Sequence, residues 1–436
     1  MRQISNSIAL CAVLGAALGL MTAHTAGAQT AADWAQFQGP TRDGISRETG
    51  LLSEWPENGP ALLWTATGLG KGFSSVAITG GRIFTMGDIT LENGDAKQCI
   101  IALDLATQKR LWATPIGGQH PDGQSPGPRC TPTVVGTMLY ALGSDGDLVC
   151  AESATGKVIW KKNLEKDFGG RMMSGWKWSE SPLVDGDKVV VTPGMPDAIM
   201  VALNRKTGET IWTCKAGPQG PRGKDGAGYS SIVAATIAGV KQYVQMSGHG
   251  LIGVSAADGK FLWNYDRPAN NVANITAPVV KGNMVFGTSA YGAGSGLVNI
   301  APVDGGFTPK EVYFLDANTF NNHHGGMVLV GGYLYGGHGQ NSGAPCCIEF
   351  ASGKVAYKGP NIAGGSAAVA YADGHIYYFY DSGVMALVEA SSTGFKLSGK
   401  FSPPKMDGAA WAHPVILGGK LFLRHDDALF CYNIKK

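Results

Sequence analysis

The chain is short of charge. Lysine, arginine, aspartate and glutamate make up only 16% of its 436 residues, and the net charge is +2. No basic stripe breaks this mixture, so the electrostatic footprint of a nucleic-acid binder is missing. After the first residues no apolar run is long enough to span a bilayer, which argues against a transmembrane segment. Cysteine is sparse, at eight, and no C-x-x-C pair or clustered His/Cys spacing suggests zinc. Glycine, by contrast, is abundant. The 64 glycines follow no collagen-like triplet and sit mostly in turns between short apolar runs, as an all-β chain requires.

The N-terminus reads as a secretory signal peptide over residues 1–28. Arg2 supplies the positive start, residues 8–20 are apolar, and Ala26-Gly27-Ala28 offers a small-residue cleavage site. Cys11 makes a poor lipid-attachment cysteine, because bulky Leu10 precedes it and most of the apolar run follows it. The expected mature protein is soluble and exported, periplasmic or secreted. It divides into an N-terminal leader over 29–59 and one repeat domain over 60–436.

The repeat is a phrase. Ala154-Thr155-Gly156-Lys157-Val158-Ile159-Trp160 returns as Lys206-Thr207-Gly208-Glu209-Thr210-Ile211-Trp212 and as Ala257-Asp258-Gly259-Lys260-Phe261-Leu262-Trp263. Trp64, Trp112, Trp160, Trp212 and Trp263 recur at a spacing of roughly 50 residues, the period of a propeller or solenoid. Each unit reads as four short strands joined by Gly-bearing turns, which is one propeller blade. First strands begin near Ser74, Cys130, Glu180, Ser230, Thr276, Gly325, Ser366 and Ala412, giving eight blades. The last blade runs out after three strands. Leu62-Leu63-Trp64-Thr65 has the apolar-Trp ending of a fourth, and is expected to complete that blade and close the ring. The fold class is therefore an all-β, eight-bladed propeller of four-stranded antiparallel blades. The leader, residues 33–58, is expected to lie outside the ring. The tryptophans are explained as wedges between blades.

The A-x-T-G-K-x-x-W phrase resembles the repeat of the PQQ-binding-like, quinoprotein alcohol dehydrogenase-like propellers, a group that includes the propeller of the outer-membrane assembly machine. The leader Trp34-Ala35-Gln36-Phe37-Gln38-Gly39-Pro40-Thr41-Arg42-Asp43-Gly44 looks like the start of a secreted bacterial subgroup. The resemblance covers nearly the whole mature chain. It is specific for fold and poorly specific for activity, because one propeller hosts enzymes and scaffolds alike.

Cys150, Cys347 and Cys431 fall at one repeat position that wants a small residue. The adjacent Cys346 and Cys347 are compatible with a vicinal disulfide, although they fall on a third strand. Functional residues are sought around the channel mouth. Aligned on Pro132, Pro182, Pro278 and Pro414, the position three residues earlier holds Phe73, Arg129, Ser179, Tyr229, Ile275, His324, Gly365 and Trp411. Such a ring suits a ligand site and equally suits a solvated rim. The next position is small in seven blades, with Glu180 the lone charge. That carboxylate reads as a metal ligand, a base, or half of a salt bridge with Arg129 or Arg171. Trp176 and Trp178 either stack on a planar ligand or cover the mouth. His323 and His324 stand in a dense polar cluster on the same face.

For the dehydrogenases of the group, the resemblance implies a sandwiched PQQ, a calcium held by a Glu and an Asn, and an Asp base. Trp178, Glu180, Asn274, Arg129 and Asp381 supply those residue types. The candidates are therefore Glu180 and Asp381 for catalysis, and Glu180 and Asn274 for calcium. Arg129, Trp178, Glu180, Tyr229, Asn274, His324 and Trp411 are candidates for cofactor binding. The chain lacks the long insertions and the C-x-x-C-H haem attachment of many such enzymes. The leading expectation is a non-catalytic binding or scaffold protein that takes a protein, peptide or glycan partner on one propeller face. The alternative is a periplasmic oxidoreductase using PQQ and calcium on alcohols or sugars.

Overall fold

The computed structural model describes Met1 and residues 33–120 and 125–436. The expected signal peptide lies outside the described residues. Among the described residues, 32 strands form eight four-stranded antiparallel sheets, with one short helix, Leu164–Phe168. The fold is an eight-bladed β-propeller. Its innermost strands are Ala77–Thr79, Thr133–Val135, Leu183–Asp185, Val233–Ile237, Val279–Lys281, Met327–Val330, Ala367–Ala372 and Val415–Leu417. They belong to blades 1 to 8 in that order.

The eighth blade closes the ring as expected. Strand Ala61–Ala66 pairs antiparallel with Ala428–Asn433, setting Leu62 opposite Tyr432 and Trp64 opposite Cys431. The pairing slips between Leu62 and Trp64. The same slip occurs in the outer pairing of all seven other blades, just before an aromatic residue in six of them and before Gly399 in blade 7. A bulge bends and twists an outer strand away from straight edge pairing, which protects an exposed sheet edge. The N-terminal strand thus carries the local geometry of every other outer strand. The seam is apolar, with Val76, Ile78 and Leu103 of blade 1 packed with Val415, Phe422 and Leu429 of blade 8.

The repeated phrase is a docking device between neighbours. Gly156, Gly208, Gly259 and Gly353 have φ of 74–76°, which glycine adopts at little cost. Each lies under the aromatic ring of the preceding blade. A Cβ there would sit 2.6 Å from Trp112, 2.8 Å from Trp160, 2.5 Å from Trp212 and 2.7 Å from Tyr313, respectively. Trp160 Nε1 also donates to the Arg205 carbonyl at 3.0 Å. Trp263 departs from the pattern. Blade 5 ends in a long hairpin, Gly294–Val303 and Gly306–Leu315, and offers no short turn at that place. The Trp263 ring folds over Gly253 of its own blade, and its Nε1 donates to Gln242 Oε1 at 2.7 Å.

Cys150, Cys347 and Cys431 stand opposite Trp160, Tyr357 and Trp64 on adjacent strands, where a bulky side chain would collide with the ring. All seven cysteines among the described residues are buried free thiols.

The leader does not lie outside the ring. Trp34 forms a β-bridge with Ile78 of blade 1, and Ile45 forms one with Tyr371 of blade 7. Between these ties, residues 36–44 loop up into the channel. Arg42 is 6% exposed, and its guanidinium donates to the carbonyls of Ser181 at 2.8 Å and Pro182 at 3.2 Å in blade 3. Farther on, Leu51 and Leu52 bond to the chain end in blade 8, and Trp55 packs on Phe401 of blade 7. The Arg42 guanidinium also donates to Gln36 Oε1 of the leader at 3.3 Å, while its Nε is buried with no partner among the described residues.

The docking device is testable by comparing two glycines. Gly208→Ala forces both a left-handed alanine and a collision with Trp160. Gly186→Ala, at φ 58° with nothing within 4 Å, forces only the first. Thermal melts should show Gly208→Ala costing at least about 1–2 kcal/mol more than Gly186→Ala. Equal costs would mean that the ring is not seated on the turn.

Candidate functional site

The channel mouth opens into a cavity of about 410 Å³ on the propeller axis. Strand alternation decides which side chains reach it. Successive residues of an extended segment point to opposite sides. Of the row three residues before the aligned prolines, Phe73, Arg129, Ser179, Tyr229, Ile275, His324 and Trp411 line the cavity, and Gly365 does not. The row one residue before the prolines faces it too, through Ser75, Thr131, Ser231, Ala277, Gly326 and His413. The row between turns aside, except at Thr276 and Gly325.

Glu180 belongs to that intervening row, and the structure gives it a different role from the one expected. It is 2% exposed and is not among the cavity-lining residues. Its carboxylate accepts from Thr192 N at 2.8 Å, Thr192 Oγ1 at 3.1 Å and Gln245 Nε2 at 3.3 Å. Ser74 Oγ accepts from Met86 N, and Cys130 Sγ from Leu142 N, at the equivalent places twelve residues apart. Glu180 therefore does for blade 3 what Ser74 and Cys130 do for blades 1 and 2. It satisfies an inner backbone N–H that a flat sheet pairing leaves open. The expected salt bridge to Arg129 or Arg171 is not formed. Arg129 instead donates to Gly127 O at 3.2 Å and Ser125 O at 2.7 Å, and the cation whose charge acts on Glu180 is Arg42 of the leader. Burial pushes the Glu180 carboxyl up to about 8, against the Thr192 donors and the Arg42 charge.

Asn274 is also committed elsewhere. Its amide donates to the Ser247 and Gly248 carbonyls and accepts from Asn270 N and Ser289 Oγ, so all its bonding capacity ties blades 4 and 5 together. Neither Glu180 nor Asn274 is among the residues lining the cavity. Trp178 is buried against Gly146, away from the cavity, whereas Trp176 lines it. Asp381 stands behind the wall. Its Oδ2 accepts from Ser366 N at 2.9 Å, and its Oδ1 lies 3.6 Å from His324 Nε2.

The cavity walls are aromatic and basic. Phe73 and Trp411 stack with centroids 4.3 Å apart, and the Arg129 guanidinium lies 5.8 Å from the Phe73 centroid. Trp176 meets Tyr229 edge-on, and Tyr291 Oη lies 2.8 Å from His323 Nε2. Burial lowers His323 and His413 to about 4, so both imidazoles are neutral at neutral pH. Trp411 Nε1 and His413 Nδ1 are buried with no hydrogen-bond partner among the described residues. No aspartate or glutamate lines the cavity among the described residues, nor do three His, Cys, Asp or Glu side chains gather as a metal site. The floor is the leader, through Phe37 and Gln38. Sequence reasoning missed Phe37, Gln38, Tyr291 and His413. Period-two alternation could have found His413, but nothing repeated marks the leader.

Comparison with known proteins places this geometry. Residues 96–359 match the family model described as Outer membrane protein assembly factor BamB. The chain belongs to that family. A curated relative, the outer membrane protein assembly factor BamB of Kangiella koreensis, is 29% identical over 150 residues. That alignment spans 33% of this chain and 32% of the relative, so the chain matches about a third of that protein's length. Among solved structures, BamB from Moraxella catarrhalis superposes with a TM-score of 0.57 at 11% identity, covering 86% of this chain and 99% of that one. Quinohemoprotein alcohol dehydrogenase from Comamonas testosteroni superposes with a TM-score of 0.63 at 11% identity, covering 92% and 80%. At these identities the superpositions establish the shared propeller fold. No helix among the described residues is long and apolar enough to cross a membrane.

The Glu180 assignment carries a pH signature. A carboxyl raised in the folded state contributes stability that is fully present below its unfolded value near 4.5, and is lost as pH rises through about 8. Thermal melts from pH 5 to pH 9 should show wild type losing stability relative to Glu180→Gln, by on the order of 1–4 kcal/mol. Parallel curves would contradict a buried, titrating Glu180.

Proposed function

We propose that this chain is an exported, non-catalytic binding protein that receives a protein or peptide partner on its channel-mouth face. A planar or aromatic group of the partner enters the axial cavity. The observation that carries this reading is the composition of the cavity. It pairs stacked rings with a guanidinium and neutral imidazoles, and offers no carboxylate among the described residues. Aromatic walls supply most of the binding free energy in such sites, and a few polar groups fix orientation. Membership of a family described as an outer membrane protein assembly factor supports export and a protein partner.

The quinoprotein reading draws on the fold shared with the quinohemoprotein dehydrogenase and on the flat, ring-lined cavity. The donor set does not fit it. Holding calcium beside a quinone needs hard oxygen ligands at the cavity, and abstracting a proton there needs a base. Glu180 and Asn274 are already saturated by their own neighbours, and Asp381 is turned to Ser366 and His324.

Two measurements separate the readings. Tryptophan-bearing peptides and their alanine counterparts, titrated calorimetrically, should differ in affinity, and Trp411→Ala should weaken the tryptophan peptides about tenfold or more. In parallel, PQQ and calcium added to the protein should support no dye reduction with alcohols or sugars. Turnover would overturn the binding reading in favour of an oxidoreductase.

A further inference from the structure

The cavity has a floor that the propeller does not make. Its walls come from blade residues, but its lower end is closed by Phe37 and Gln38, which precede the ring in sequence. Three observations set this segment apart from an ordinary packed tail. First, the loop is strained. Gln38 and Arg42 have φ of 56° and 54°, a conformation that non-glycine residues avoid unless their surroundings enforce it. Second, it is tied at each end and along its length. Trp34 and Ile45 bridge to blades 1 and 7, Arg42 is bonded into blade 3, and Gly44 N donates to Gln38 O. Third, Phe37 is only half-buried despite lying inside the channel, because one side of its ring faces the cavity; it also meets the His413 ring edge-on, with centroids 5.0 Å apart. Gln38 is 6% exposed and stands beside Gly326, at the start of blade 6.

We infer that the leader is part of the binding site, with Phe37 and Gln38 touching the innermost ring of whatever occupies the cavity and setting how large that ring can be. The inference rests on the cavity being the binding site and goes beyond it, since it assigns the selectivity of the site to a segment outside the repeats. The walls, built from one guanidinium and several aromatic faces, suit a ring that bears a carboxylate. A phenylalanine at the floor limits depth. Replacing it with alanine leaves an apolar space, and such spaces accept an added ring.

The test uses the full chain and two kinds of aromatic carboxylate. In the first arm, 4-benzoylbenzoate is photo-crosslinked to unmodified protein and the labelled peptides are mapped by mass spectrometry. Label is expected on the tryptic peptide ending at Arg42 as well as on the one holding Trp411. Label on the Trp411 peptide without label on the leader would overturn the inference while leaving the cavity as a binding site. In the second arm, benzoate and 2-naphthoate are titrated into wild type and Phe37→Ala. The affinity ratio of the two-ring to the one-ring probe should rise about tenfold in the variant. An unchanged ratio in a variant that melts cooperatively would overturn the inference. If Phe37→Ala does not fold, the crosslinking arm decides alone. Absence of binding and labelling by every probe on wild type would remove the cavity reading itself, and this inference with it.

Discussion

Six residues, Ala61–Ala66, supply the last row of backbone pairing that the ring needs. Without them blade 8 would end in three strands, and the Ala428–Asn433 strand would present an unpaired edge. Within the array each blade packs against the next, and blades 1 and 8 meet through the apolar seam and through bonds such as Ser75 Oγ to the His413 carbonyl. The closing strand adds backbone pairing between the two ends of the repeat array, with the same bulge as its counterparts and a tryptophan where most of them carry an aromatic. Ala66 and Trp64 of this strand pack into the apolar seam between blades 1 and 8.

The leader extends that dependence to the channel. It contacts blades on opposite sides of the axis, so it acts as a pin through the middle of a ring already sealed at its circumference. A buried guanidinium and a nearby buried carboxyl at the centre of the pin are not a source of net stability by themselves. Their effect is positional. Arg42 bonds to the Ser181 and Pro182 carbonyls of blade 3 as well as to Gln36 of the leader, which ties the loop carrying Phe37 and Gln38 to blade 3. Sequence outside the repeats thus shapes the site that the repeats enclose.

The repeat was legible because turn glycines and aromatic wedges are local requirements, restated in most blades. The closing strand was legible for the same reason, since Trp64 carries the ending of an outer strand. The channel-mouth row was legible from the proline alignment. Glu180 was misplaced because its charge drew attention while strand alternation, which turns its row aside, was not applied. Its true analogues, Ser74 and Cys130, share no chemistry with a carboxylate beyond accepting a hydrogen bond. The leader was misplaced because its course depends on tertiary contacts that no period in the sequence announces.

The functional reading follows from the same division. The propeller supplies a ring of walls, and the positions where its repeats disagree supply rings, a guanidinium and imidazoles around one cavity. The central structural claim is that residues 33–66 are integral to the folded ring. Amide hydrogen exchange on the full chain tests it most directly. Trp34, Ser46 and Leu52 donate backbone hydrogen bonds into the propeller, and alternate amides of the edge strand Ala61–Ala66 face its partner Ala428–Asn433, so these amides should exchange far more slowly than those of exposed loops. Exchange of these amides at the rate of exposed loops, with the inner strands still protected, would contradict it.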